Sequence, residues 1–206
     1  KHLDVKITDE KLKETIEIFN EERDVLNKLM DLAKLDPSPI SGSEMHQVLF
    51  ASDFIYDKKE KIKMLCSYIE ALKQKDMSKA KHKKRIIITG CPSGGVYEKV
   101  IKQIEELGAD VVAFENCTGT KNLKNNISTQ GDLIENIAKR YLKIPCSVMY
   151  KNDARSDVIK NFITEYKADG VIDIVLSGCH TYAIETNKIK EASKEAGASY
   201  MSLETD

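Results

Sequence analysis

The sequence has no tryptophan, only four prolines and almost no net charge, with 32 Lys and Arg standing against 33 Asp and Glu in 206 residues. So near a balance makes no case for nucleic acid or a membrane surface as a partner. No apolar run approaches the ~20 residues that span a bilayer. The opening stretch KHLDVKITDEKL has no signal-peptide core. The expected compartment is the cytoplasm. Five widely spaced cysteines are an odd count, a poor disulfide framework in a chain without secretory features; reactive or metal-bound thiols are the better reading. What is present, 41% hydrophobic and 32% charged residues, suits a helix-rich globular chain of one domain with an appendage, or two small domains.

Two patterns divide the chain. From residue 8 to about 76 the period is helical: Leu12, Ile16, Phe19, Arg23, Leu26, Met30 and Ala33 fall on one stripe. Thr8 is the expected N-cap, with Asp9 and Glu10 placed well against the helix dipole, and Pro37 and Pro39 end that helix. Ser41 and Glu44 form a capping box for a second helix through Val48, Leu49 and Phe54; a third covers roughly 58–74, with Ile62, Leu65, Cys66, Ile69 and Leu72 on its apolar side. We read 1–76 as a helical cap or inter-domain segment and 77–84 as a basic linker. That linker is either a solvated hinge or an electrostatic contact for coenzyme A phosphates or an acidic electron donor.

Residues 85–206 alternate between β and α. Apolar runs at 86–89, 111–114, 146–150, 171–176 and 199–203 are separated by amphipathic stretches at about 96–107, 129–142, 154–167 and 182–196. Gly108, Gly170 and Gly197 fall where helix C-caps are expected. Near-continuous apolar strands alternating with helices mean a parallel sheet covered on both faces. The expected fold is α/β, a flavodoxin-like doubly wound parallel sheet of about five strands behind an N-terminal helical segment.

In such a sheet ligands bind beyond the carboxyl ends of the strands. Cys91 follows the first run, Cys117 the second and Cys179 the fourth, whereas Cys146 lies near the start of the third. Thiolates from separate loops are natural ligands for an iron–sulfur cluster or zinc. Taken singly, each cysteine is equally well a small buried hydrophobe, and Cys66, away from the sheet, is read that way.

The ordered motifs GCPSGG, ENCTGTKN, IPCSVMYKND, DGVIDIVLSGCHTY and SLETD, with PSPISGSE in the helical segment, resemble the second domain of the 2-hydroxyacyl-CoA dehydratase and benzoyl-CoA reductase family, double-cubane cluster proteins included. The resemblance spans nearly the whole chain. It implies a companion N-terminal α/β domain outside this sequence. It also implies an iron–sulfur cluster, 4Fe–4S or double-cubane 8Fe–9S, held by Cys117, Cys146 and Cys179, with Cys91 as a fourth candidate. Relatives often carry a second cysteine where this chain has Val148, which weakens the case for Cys146. The implied partners are an ATP-hydrolysing iron–sulfur activator protein and a second subunit or a second copy of the chain. The implied substrate is an acyl-CoA or another small molecule. In the dehydratase branch an injected electron would reach the thioester carbonyl of a 2-hydroxyacyl-CoA and expel its hydroxyl; in the double-cubane branch electrons accumulate for reduction of a small molecule. A cluster-free or zinc-binding domain that mainly supports oligomer contacts is the competing expectation.

Other residues carry two readings each. Gly94 and Gly95 either open an anion site at a helix N-terminus or form a simple turn. His180 is a proton donor to a cluster site or a structural helix-start residue. Glu115 and Glu185 are acid–base candidates. Lys121 and Lys124 beside Cys117 either offset cluster charge or are solvated.

Overall fold

The computed structural model describes residues 6–92, 97–149 and 151–206. Three helices come first: α1 (Asp9–Asp31), α2 (Gly42–Ser52) and α3 (Lys58–Lys73). Thr8 accepts from the Lys11 N–H at 3.4 Å, and Ser41 and Glu44 form the reciprocal capping box, so both starts lie where the side chains dictate. The remaining chain runs β1 (Lys84–Gly90), a π-turn (Tyr97–Ile101) into α4 (Lys102–Glu106), β2 (Ala109–Glu115), α5 (Leu133–Leu142), α6 (Asp153–Glu165), β3 (Gly170–Leu176), α7 (His180–Ala183), α8 (Thr186–Glu195) and β4 (Ser199–Thr205).

The four strands are all parallel, in the order β2-β1-β3-β4. Because β1 connects outward to β2 and the chain then returns to β3 on its other side, right-handed crossovers place α4 on one face and α6 with α8 on the other. Ile87 and Ile88, adjacent on β1, are both 0% exposed, as expected of a strand covered on both faces. The order reverses between β1 and β3, which makes the crevice beyond their carboxyl ends the topological switch point.

The helical layer shares this core. Leu29, Met30, Ile40 and Met45 belong to the same buried cluster as Ile87, Val112 and Phe114. Glu105 of α4 accepts from the N–H groups of Gly42 and Ser43 at 2.6 and 3.2 Å, tying α2 to the sheet layer. Arg85 is 2% exposed. It donates to the carbonyls of Ala33, Leu35 and Tyr166 at 2.6, 3.1 and 2.7 Å. The basic stretch before it lies at the amino ends of the strands, where Lys83 pairs with Asp110 and Lys84 with Asp169.

Three expectations need correction. The run at 146–150 is not a strand: its described residues form turns closed by Cys146 N–H to Ile144 O and Met149 N–H to Cys146 O, with Val148 70% exposed. A short apolar run carries no period to separate strand from turn, and the crossover from β2 to β3 runs through α5 and α6 with no strand between them among the described residues. The sheet therefore has four strands. Gly170 is the first residue of β3; the left-handed position that ends α6 belongs to Lys167, at φ 49°. Cys66 is exposed on the outer side of α3, while Ile62, Leu65, Ile69 and Leu72 face the core.

Candidate functional site

Strand register places three polar side chains in a row. Thr89 of β1 is paired with Glu115 of β2 on one side and with Asp173 of β3 on the other. Each is no more than 1% exposed. Arg155, in the first turn of α6, reaches across all three: Nε to Glu115 at 3.2 Å, Nη2 to Thr89 at 2.9 Å, and Nη2 to Asp173 at 4.0 Å. Its third nitrogen, Nη1, binds Glu185 at 2.6 Å. Thr89 also donates to Glu115, Asn152 to Glu185 at 2.9 Å, and Tyr200 to Asp173 at 3.0 Å. Glu115 Oε1 makes no hydrogen bond, only an ion-pair contact with Lys121 at 3.4 Å. Burial holds the Asp173 carboxyl above the usual carboxylate range despite the nearby Arg155.

Tyr182 joins this buried row to the rim above it. Arg155 and Lys121 each lie 5.0 Å from its ring centre, and Lys121 donates to its hydroxyl at 3.1 Å. Burial, with Cys117 beside it, pushes the Tyr182 phenol far up, so it keeps its proton. With one lone pair taken by Lys121, that proton is free to face Cys117 Sγ, 3.9 Å away. Cys91, Val175 and Tyr182 form a small buried cluster against which Cys179 packs.

The two thiols nearest the switch point differ in character. Burial pushes the Cys91 thiol up to about 11, although the Leu176 N–H approaches its sulfur at 3.4 Å. The Thr181 hydroxyl at 3.4 Å, with the N–H of Tyr182, pulls the Cys179 thiol below its ordinary value. At pH 8 the Cys91 thiol keeps its proton. Brief iodoacetamide treatment followed by peptide mass spectrometry is therefore expected to modify Cys179 well before Cys91. Equal rates would contradict this placement of the two sulfurs.

A family model, 2-hydroxyglutaryl-CoA dehydratase, D-component, matches residues 1–206. The chain belongs to this family. Within it, the chain is 36% identical over 203 residues to the Escherichia coli (strain K12) protein named "Putative dehydratase subunit YjiM". It is 28% identical over 205 residues to the (R)-phenyllactyl-CoA dehydratase beta subunit of Clostridium sporogenes, and 25% over 202 residues to a benzoyl-CoA reductase subunit of Thauera aromatica. These matches cover 97%, 98% and 96% of the chain but 53%, 53% and 52% of the relatives. The chain of this dehydratase-family member thus spans about half the length of the curated relatives it matches.

The fold of this chain brings Cys91, Cys117 and Cys179 to the carboxyl rim of the sheet, two of them around the switch point. Cys146 sits in the loop before α6, where its carbonyl accepts from Asn152 at 2.9 Å. His180 is exposed at the start of α7, Glu115 is buried beneath Arg155 and Lys121, and Gly94 and Gly95 lie outside the described residues. Soft thiols on one rim, with a thiol-lowering turn at Cys179 and hydrogen-bond donors nearby, suit iron–sulfur chemistry. Among the described residues no three His, Cys, Asp or Glu are grouped to hold a metal ion. Sequence reasoning missed Arg155. Its signal is a charged residue on the stripe completed by Ile159, Phe162 and Ile163, opposite acidic residues inside otherwise apolar strands.

No described helix is long and apolar enough to cross a membrane.

Proposed function

We propose that this chain is the cluster-bearing half of a dehydratase-family redox enzyme, with Cys117 and Cys179 as thiolate ligands and a third supplied by Cys91 or Cys146. The observation that carries the reading is that thiols from loops after different strands border one small cluster: Cys117 Sγ lies 3.9 Å from the Tyr182 hydroxyl, and Cys179 packs against Cys91, Val175 and Tyr182. A cluster held there would supply a low-potential electron and a Lewis-acidic iron. The chain's own part is positional and electrostatic. The turn at Thr181 and Tyr182 favours the Cys179 thiolate, and the Tyr182 hydroxyl is placed to donate to Cys117. Lys121 and Arg155 bring positive charge beneath the rim, and exposed His180 is available to carry a proton. The electron donor in this reading is an ATP-hydrolysing iron–sulfur activator, the enzyme works with a second subunit, and the reaction is dehydration of a 2-hydroxyacyl-CoA or reduction of a small molecule. The names of the relatives, a phenyllactyl-CoA dehydratase subunit and a benzoyl-CoA reductase subunit, support that pair of outcomes.

The test is iron and acid-labile sulfide content of the anaerobically purified complete gene product, with its visible absorption. Brown protein is expected, with Cys117→Ala and Cys179→Ala losing most of the iron and Cys66→Ala keeping it. Colourless protein with stoichiometric zinc, or equal iron in all three variants, would overturn the reading in favour of a zinc-binding or structural domain.

A further inference from the structure

Between the helical layer and the loop after β2 lies a cavity of about 280 Å³ whose lining includes Cys117, Arg23 and Arg140. The two arginines are 7% and 6% exposed. Arg23 donates from Nε to Asn126 Oδ1 at 3.4 Å and from Nη2 to Asn20 Oδ1; Arg140 donates from Nε to the Asn125 carbonyl at 3.4 Å and from Nη2 to the Asn122 carbonyl. All four acceptors are neutral. Among the described residues neither guanidinium has a carboxylate within ion-pair distance, and neither Nη1 makes a hydrogen bond.

The carboxylates that line the cavity are already engaged. Glu22 binds Lys58 at 3.0 Å and Lys61 at 2.6 Å, and Asp53 binds Lys61 at 3.2 Å. With Asp24, which accepts from Asn126 at 2.8 Å, the neighbourhood holds four cations and three anions. Burial first, then the charge of Arg140, lowers the Arg23 pKa, and the charges of Glu22 and Asp24 offset this only in part. Burying one ion costs several kcal/mol before compensation, and here two like ions sit together on a cavity wall. An anion in the cavity would offset both. Leu26, Leu49 and Leu123 give the cavity a hydrocarbon wall beside its charged one.

We propose that this cavity binds the carboxylate of a small organic acid or acyl group between Arg23 and Arg140, with its hydrocarbon chain against Leu26, Leu49 and Leu123 and its far end beside Cys117. A carboxylate presents two coplanar oxygens to guanidinium N–H groups. A phosphate would leave the apolar walls without a contact. The volume is just below the roughly 300–1,000 Å³ range of ligand pockets, which fits a short acid and excludes a whole coenzyme. The assignment stands on the cavity alone, independent of the cluster reading, so an iron-free protein would leave it intact.

Calorimetric titration of the full chain at low salt separates the cases. Valerate is expected to bind saturably, valeramide at least about ten-fold more weakly, and inorganic phosphate more weakly than valerate, since loss of a charge-assisted hydrogen bond costs about 10- to 100-fold. Arg23→Gln and Arg140→Gln should each lower valerate affinity by about the same factor. Because both arginines also hold the 122–126 loop, the comparison of acid with amide on the unaltered protein carries the test without a variant. On iron-free protein, valerate should also slow iodoacetamide modification of Cys117 while leaving exposed Cys66 unaffected. Absence of saturable valerate binding, equal binding of acid and amide, tighter binding of phosphate, or no protection of Cys117 would each overturn the proposal.

Discussion

Replacing Arg155 with methionine is expected to destabilise the protein by about 3–5 kcal/mol, the cost of removing one partner from a buried ionic network. That is a large share of the roughly 5–15 kcal/mol by which domains are stable. The side chain is 1% exposed and spans Glu115, Thr89, Asp173 and Glu185; methionine fills much of its volume but offers no donor. Glu115 keeps Lys121 and Glu185 keeps Asn152, yet the row as a whole loses its central cation. The loss should depend on pH in a determined direction. Asp173 already has a raised folded-state pKa, and Arg155 is the first charge that pulls it down. A carboxyl whose folded pKa lies above its unfolded value of about 3.9 binds protons more tightly when folded, so its contribution weakens stability as pH rises through that window. Without Arg155 the window widens upward. Urea unfolding should therefore show a smaller gap between variant and parent at pH 5 than at pH 8. A gap independent of pH would mean that these carboxylates are not charged as drawn.

A second large effect is expected at Gly90, the last residue of β1. Its φ is +101°, and a Cβ there would lie 2.1 Å from the Ile174 carbonyl oxygen and 2.8 Å from Asp173 Oδ1. The obstacle is backbone of the adjacent strand, which cannot swing away. Gly90→Ala should cost at least about 3 kcal/mol, with backbone strain and a core clash combined. Gly108→Ala is the control: its φ is +92°, but nothing lies within 4 Å of a Cβ, so only the left-handed penalty of about 1–2 kcal/mol applies. Next to Gly90, the Cys91 N–H bonds to the same Ile174 carbonyl at 2.8 Å. The Gly90 variant should therefore also disturb the Cys91 sulfur, seen as faster alkylation. Equal destabilisation by the two substitutions would show that the close approach of β1 to β3 is not what requires glycine.

These two positions show what could be read from residues alone. The capping box at Ser41 and Glu44 is local chemistry, and it was legible because its two hydrogen bonds close within four residues. Four strands and the cysteines at their carboxyl ends were legible because parallel strands buried on both faces leave long apolar runs. The 146–150 segment misled because apolarity there serves turns and exposed surface, with Val148 and Met149 outside the core. The Glu115–Thr89–Asp173 row was invisible because it depends on register between residues 26 and 84 positions apart, which no local pattern encodes. Arg155 and Arg23 both occupy apolar-stripe positions on their helices, and in each case the charge on the stripe marked a buried polar site.

Arg85 bears on how any small molecule would reach the cavity beside Cys117. The basic run that it closes looks like a swivel in composition, but its side chain grips carbonyls at the end of the first helical unit and at the end of α6 together. Walls drawn from both layers are thereby locked in one frame. Admission past Phe19 and Tyr141, which are 40% and 61% exposed at its lining, then becomes a matter of side-chain rotation, on the picosecond-to-nanosecond scale of exposed rotamers rather than the microsecond scale of moving layers.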